Sequence, residues 1–459
     1  MSDKPQQLPL FLSSDISEAV QNGINLDDDS FTNKLDTKNR AFHDWYRFVL
    51  SFPPRLVDHY IKDFELREGD VLLDPFCGTG TTLVEAKLQG IKSIGLEANP
   101  FAQFATSVKV DWEINPDSLA STAEEIGKEC LKLLESQGID DQFLSPPKIP
   151  AQDLRKLDEE RMRLLLKNSI SPLPLHKVLV LRDFIDRHKG EDCFPHMNLA
   201  LANAAVYSIS NLRFGPEVGI GKQKKDSRVV FSWISEVRKI VKDLRMVCGK
   251  KFPEATVHLA DAREIEEIIS AKSVNAVITS PPYPNEKDYS RTTRLELVLL
   301  GFVNSMQELR EVKKTFVRSN TRGVYKADED DKWVKSYPEI ERIAQQIEQR
   351  RIELGKTSGF ERMYSRVTRL YFGGMARHLS ELRSILRPGA YLAYVVGDQA
   401  SYLQVMIRTG KLLAGIAEAL GYEVVRIDLF RNRFATATKQ DLREEVVILR
   451  WDPLRPFAR

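Results

Sequence analysis

A chain of 459 residues with 42% hydrophobic content is long enough to bury a large core and to hold one main domain with another inserted in it. Its 67 Lys and Arg nearly balance 65 Asp and Glu, which excludes a uniformly basic protein and makes any nucleic-acid footprint local. Cys77, Cys130, Cys193 and Cys248 form no C-x-x-C pair, which argues against a zinc site or a disulfide framework; no stretch approaches a membrane span, and the expected compartment is the cytoplasm.

In chain order, residues 1–38 are polar and poor in regular pattern and read as a flexible arm. A helical pattern over 54–64 leads into a short apolar strand at 71–73, a glycine turn, a helix at 83–88 and a second strand over 93–96 that ends in Glu97. A long segment, 111–252, is largely helical: Asp117 or Ser118 is placed to cap a run through Leu134, and further runs cover 153–166, 176–188, 197–210 and 232–247. Within it, residues 215–219 read as a loop. Strand patterns resume at 257–259 and 274–278. A second insertion occupies 303–362, and the chain closes with strands at 391–396, 422–428 and 445–450, the last two forming a hairpin around a loop at 430–443. The main domain is thus 39–110 together with 253–459.

Two turns carry chemistry. The first is Asp74, Pro75, Phe76, Cys77, Gly78, Thr79, Gly80, Thr81 and Thr82, between a strand and a helix. Glycines there let backbone approach a ligand, the helix presents free N–H groups, and Glu97 at the end of the next strand suits ribose hydroxyls. Leu83 stands where a dinucleotide motif has its third glycine, and the Asp74 carboxylate repels a diphosphate but attracts an ammonium, so S-adenosylmethionine fits better than a nicotinamide cofactor. The second turn, Thr279, Ser280, Pro281, Pro282 and Tyr283, ends an apolar strand with two residues that lack N–H groups, beside an aromatic ring. Carbonyls left without ladder partners next to a ring suit a planar group bearing an amino donor.

Asp-Pro-Phe-Cys-Gly-Thr-Gly at 74–80 and Thr-Ser-Pro-Pro-Tyr at 279–283 resemble the cofactor and catalytic motifs of the exocyclic-amino DNA methyltransferases, S-adenosylmethionine-dependent enzymes of cytosine N4 or adenine N6. The likeness extends to Trp45 and Tyr46, in an aromatic stretch that lines the methionine end in that family or else packs the core, and to Asp261, at the expected adenine contact. It implies an α/β, doubly wound Rossmann-like sheet ending in an antiparallel hairpin. It implies cofactor contacts from Trp45, Tyr46, Asp74, Phe76, Cys77, Gly78, Gly80, Thr81, Thr82, Glu97 and Asp261, and catalytic roles for Ser280, Pro281, Pro282 and Tyr283, with no metal. Ser-Pro-Pro-Tyr is more typical of the N4-cytosine type. The expected function is therefore site-specific transfer of a methyl group to cytosine N4 of double-stranded DNA, by direct displacement on a flipped base and beside a cognate restriction endonuclease. The alternatives are an N6-adenine enzyme, a tRNA guanosine-N2 methyltransferase and a non-catalytic DNA-recognition subunit.

Two basic segments are candidates for the DNA-facing surface. Residues 222–251, within the helical insertion, hold ten Lys or Arg against three acids, with Phe231 and Trp233 interleaved; the alternative is an ordinary solvated helix face. Lys313, Lys314, Arg318 and Arg322, with Asn320 and Thr321, follow the catalytic turn and are the expected DNA-binding loop.

Overall fold

The computed structural model describes residues 18–19, 21–26, 40–48, 51–147, 149–215, 217–435 and 440–454. Nine strands run through them: β1 (Val71–Asp74), β2 (Lys92–Glu97), β3 (Leu212–Phe214), β4 (Val218–Ile220), β5 (Ala255–Leu259), β6 (Val274–Thr279), β7 (Leu386–Gly397), β8 (Tyr422–Ala435) and β9 (Gln440–Trp451). Seven make one sheet in the order β5-β2-β1-β6-β7-β9-β8. The first five in that order are mutually parallel, and β9 runs against both β7 and β8. This is the expected doubly wound α/β sheet with its closing antiparallel hairpin.

The period of two along each strand splits the apolar residues between two faces. Leu72, Ala276, Ile278, Ala393, Val395, Val446 and Ile448 pack with Leu56, Val57, Tyr60 and Ile61 of the helix Pro54–Asp63. Their neighbours Leu73, Val277, Leu392, Tyr394, Val396, Val447 and Leu449 pack on the opposite face with the helices Tyr364–Ile385 and Thr409–Ala419. Burial on both faces is why these strands read as nearly continuous apolar runs.

The segments 111–252 and 303–362 pack onto this frame. Helices Pro116–Ser136, Glu159–Leu164, Pro172–Asp186, Phe194–Ala204 and Val229–Val247 share one apolar cluster with Phe42, Trp45 and Phe101, so 111–252 does not carry a core of its own. In 303–362, Tyr337, Ile340, Ile343 and Ile347 of the segment around helix Pro338–Glu353 join the cluster that covers the sheet.

Several expectations need correction. Asn115, not Asp117 or Ser118, caps the helix Pro116–Ser136, accepting from the N–H groups of both, because Pro116 takes the first helical position. The run over 153–166 yields only a short turn at Ala151–Asp153 and the helix Glu159–Leu164. The loop at 215–219 belongs to the hairpin β3–β4. The loop at 430–443 is also strand: β8 continues to Ala435 and β9 begins at Gln440, pairing Arg431 with Glu444 and Arg433 with Leu442. Of the arm at 1–38, the described part docks rather than hangs free. Leu26 is buried and donates its N–H to the Leu429 carbonyl (2.8 Å), and the Ile24 N–H reaches Asp428 (2.7 Å). No helix among the described residues is long and apolar enough to cross a membrane.

Inside the helical insertion, the fully buried Lys177 ammonium lies 2.7 Å from Asp226 and 3.2 Å from Asp141. Asp141 in turn accepts from the N–H groups of Val229 and Val230, capping the last helix of the insertion. Lys177→Met therefore leaves two carboxylates without their cation and is expected to lower the unfolding free energy by about 3 kcal/mol, measured by urea denaturation.

Candidate active site

Pro75, Ala98, Ala260, Ser280 and Gln399 lie just beyond the carboxyl ends of β1, β2, β5, β6 and β7, and all line one cleft of ≈ 480 Å³. This is the edge of an open parallel sheet at which ligands bind, and the volume falls within the range of cofactor sites, about 300–1,000 Å³. Phe76, Cys77, Gly78, Thr81, Glu97 and Asp261 line the same cleft as Ser280, Pro281, Pro282 and Tyr283. The two sequence motifs therefore face one space.

The glycine turn is fixed from beneath. Gly78 has φ +52°, and a Cβ there would meet only open space, so the backbone borders the cleft directly. Its N–H donates to Glu97 Oε2 and the Asn99 N–H to Oε1, both at 2.8 Å. Burial raises Glu97 to about 7 despite these donors. The Gly78 carbonyl accepts from the Thr106 hydroxyl (2.8 Å), and the Thr79 carbonyl from Lys109 Nζ (2.6 Å). Burial pulls that lysine down to about 7. Cys77 is a buried wall residue whose thiol burial pushes up, so it is no nucleophile.

Three candidates from this turn lie under the cleft. Asp74 Oδ1 accepts from the Thr279 hydroxyl (2.6 Å) and the Phe76 N–H (3.1 Å), while Oδ2 is buried without a partner. Burial raises this carboxyl to about 6. Gly80 has φ +80° and packs on Thr106, whose methyl would lie 2.6 Å from an added Cβ. The Thr82 hydroxyl donates to the Ile278 carbonyl (3.2 Å). These residues shape the floor rather than the surface of the site.

In the turn that ends β6, the Ser280 hydroxyl donates to the Val395 carbonyl (3.1 Å), which leaves its oxygen lone pairs as acceptors. Tyr283 is half-buried and backed by Gly397, where a Cβ would approach its ring to 3.0 Å. Tyr289 stacks on Phe48 at 6.3 Å across the same cleft, its phenol pushed up to about 12 by burial.

Other expected contacts are spent elsewhere. Trp45 and Tyr46 are buried away from the cleft, with the Trp45 indole N–H donating to Asp243 (2.9 Å) and the Tyr46 hydroxyl to Glu296. Phe48 and Phe52 border the cleft instead. Asp261 lines the cleft, but both its oxygens accept from the Arg263 guanidinium, which also binds Asp330.

The expected DNA-binding loop is largely tied down. Lys313 pairs with Asp288 (3.1 Å), and Arg318 is buried in a pair with Asp328 (2.8 Å) and donates to the carbonyls of Lys313 and Lys314. Lys314 is paired to Glu311, while Arg322 lies over the Phe360 ring at 5.8 Å. Asn320 and Thr321 are buried and bind the Lys287 carbonyl and Glu286. In the earlier basic run Trp233 is buried, and Arg245 and Lys239 pair with Asp117 and Glu236.

Sequence reading missed Asn99, Arg431, Arg433 and Glu444, all on the cleft wall. Asn99 was marked by the Asn-Pro that starts the helix Pro100–Val110. Arg431 and Arg433 stand two apart, as residues on one face of a strand do, and both pair with Glu444. Among the described residues, no group of His, Cys, Asp and Glu is arranged to hold a metal ion.

Comparison with known proteins bears on this cleft. The model of the DNA methylase family, N6_N4_Mtase, matches residues 24–106, which include the glycine turn. The chain is 26% identical over 430 residues to the type II methyltransferase M.BsoBI of Geobacillus stearothermophilus, covering 88% of this chain and 83% of that one. It is 22% identical over 403 residues to the type II methyltransferase M.AvaI of Nostoc sp., covering 85% and 81%. A shorter likeness, 35% over 71 residues, covers 16% of this chain and 17% of the tRNA (guanine(10)-N2)-dimethyltransferase of Methanocaldococcus jannaschii. The sheet order, the shared cleft and these similarities together support the exocyclic-amino DNA methyltransferase family, with N4 and N6 types not distinguished.

Proposed function

We propose that this protein is a site-specific DNA methyltransferase that uses S-adenosylmethionine to methylate N4 of a cytosine turned out of the duplex, within a restriction-modification pair. The observation that carries this reading is that Ser280, Pro281 and Tyr283 share one cleft with Phe76, Gly78 and Glu97. Resemblance to two type II methyltransferases along most of the chain supports DNA over RNA as substrate, since the likeness to the tRNA enzyme covers 16% of it. The endonuclease partner rests on the same likeness.

The residues fit the cofactor. The orphaned Asp74 Oδ2 is a buried acceptor suited to an ammonium, Gly78 offers a backbone without a side chain, and Glu97 retains lone pairs for ribose hydroxyls. Asp261, held by Arg263, meets the adenine end. When bound, S-adenosylmethionine supplies a methyl group on a positively charged sulfur. The protein's own part is to orient the amine. Ser280 donates its O–H to the Val395 carbonyl, so its oxygen accepts from the exocyclic amino group together with the carbonyl of Pro281. Positive charge that develops on the amine nitrogen then lies against oxygen, and Tyr283 stacks on the base. No covalent enzyme intermediate is needed, in keeping with a buried Cys77 thiol.

Incubation with labelled cofactor and plasmid DNA or tRNA, followed by digestion to nucleosides, should yield N4-methylcytosine from DNA; N6-methyladenine, or label in RNA alone, would sink the cytosine reading. Ser280→Ala should reduce kcat about 10²-fold with cofactor affinity unchanged, measured by single turnover and by calorimetric titration.

Glu97 gives a pH signature. Its pKa in the free protein, about 7, lies above its ordinary value of 4.5, so the folded state retains the proton between them and this group's stability contribution falls as pH rises through that window. Ribose hydroxyls donate to the carboxylate, so cofactor Kd should be level above about 7 and rise as pH falls below it. Glu97→Gln should bind weakly and lose the part of that dependence near pH 7, keeping only the weakening toward pH 6 at which Asp74 takes up a proton, read by titration calorimetry across pH 5.5 to 8.5, a range of about one and a half units either side of 7.

A further inference from the structure

Beyond Tyr283 the chain runs through a short segment, Glu286 to Thr292, that borders a second recess of ≈ 30 Å³ beside the main cleft. Its wall carries Lys287, Arg291 and Arg322, and Lys287 also lines the main cleft, so the two spaces meet at its side chain. Most other cations near the cleft have anionic partners: Arg431 and Arg433 have Glu444, Lys313 has Asp288, Arg318 has Asp328, Arg408 has Asp398 and Arg263 has Asp261. The three in the recess differ. None makes an ion pair or a side-chain hydrogen bond with a described residue: Arg322 lies over the Phe360 ring and acts on Glu286 through its charge, Lys287 feels Glu444 and Glu217 in the same way, and Arg291 Nε is buried with no acceptor.

A buried guanidinium donor without an acceptor is costly unless something supplies one. The acids nearby do not. Asp288 is held by Lys313 and Ser290, and Glu286 accepts from the Thr321 N–H and hydroxyl. Glu217, carried by the hairpin β3–β4, borders both spaces and favours the charged form of Lys287, but makes no ion pair with any of the three cations. An anion with several acceptor oxygens matches this donor set, and planar guanidinium with ammonium is the combination that binds phosphate.

We propose that Lys287, Arg291 and Arg322 form a phosphate site that holds the DNA backbone next to the extruded nucleotide. It rests on the reading of the neighbouring cleft as a base pocket. The spacing from Tyr283 to Lys287 then places base and phosphate subsites on one continuous segment, so that the backbone is gripped where it must rotate. Glu217 opposes the phosphate and limits its affinity.

The test uses the full chain and variants Lys287→Met, Arg291→Met, Arg322→Met and Glu217→Gln, with cofactor binding by calorimetry as the check on folding. Each Met variant should raise KM for duplex DNA about ten-fold, leave cofactor Kd unchanged, and flatten the slope of log KM against log salt by about one. Glu217→Gln should lower KM. Inorganic phosphate should compete with DNA for the wild-type protein and lose that competition in Arg291→Met. Variants that methylate DNA with wild-type KM and salt slope overturn the phosphate site while leaving the base pocket intact. Phosphate binding that Arg291→Met abolishes with no effect on DNA KM overturns the backbone assignment in favour of a free anion. Absence of methyl transfer from the wild-type protein to any DNA overturns the base-pocket reading itself.

Discussion

The site depends on one contact, the hydroxyl of Thr279 donating to the carboxylate of Asp74 at 2.6 Å across 205 residues of sequence. It joins the ends of β1 and β6, which lie side by side in parallel with Leu73 opposite Val277. The Thr82 hydroxyl repeats the link one step back, at the Ile278 carbonyl. With both turns pinned to the same two strand ends, neither the glycine loop nor the Ser280 turn can shift without the other. A buried hydrogen bond to a charged group contributes about 1.5–3 kcal/mol, yet burial raises Asp74 to about 6, so the carboxylate is held at a cost. That cost falls on a residue beneath the cleft floor, where it ties the two turns together.

Around that contact the insertions serve as walls. The helical segment 111–252 merges its core with Phe42, Trp45 and Phe101, and brings the hairpin β3–β4 to the cleft mouth through Glu217. The segment 303–362 reaches the opposite side: Asp330 takes the far end of Arg263, whose near end orients Asp261. Gly373 allows this approach, because any Cβ there would collide with the Asp330 carbonyl at 1.9 Å. The β8–β9 hairpin, longer than its apolar pattern suggested, supplies Arg431, Arg433 and Glu444 to the third side.

Charge placement shows how sequence misleads at a surface. Lys313 and Arg318 stand in a basic run close behind the Ser280 turn, yet each is neutralised by an acid, Asp288 and Asp328, that linear spacing does not pair with it. Arg291, which sequence reading offers for phosphate or for an acid, has its Nε buried without an acceptor, and Lys287 beside it makes no ion pair with a described residue. Trp45 and Tyr46 fail for a related reason: an aromatic stretch ahead of the first strand has a wet side and a dry side, and only Phe48 and Phe52 fall on the wet one.

By itself the sequence determined the strand-turn-helix of the glycine loop, the acid ending β2, the proline-rich end of β6 and the parallel sheet around them, because each is set by local backbone chemistry and short-range periodicity. Gly78 and Glu97 were legible for that reason, and so was the family likeness. Only the tertiary structure decided which charged groups are paired, since an ion pair such as Arg318 with Asp328 or Lys177 with Asp226 depends on how distant loops and helices pack. It also decided which aromatics face the cleft and how far β8 and β9 extend over it, because burial and strand pairing are properties of neighbours in space.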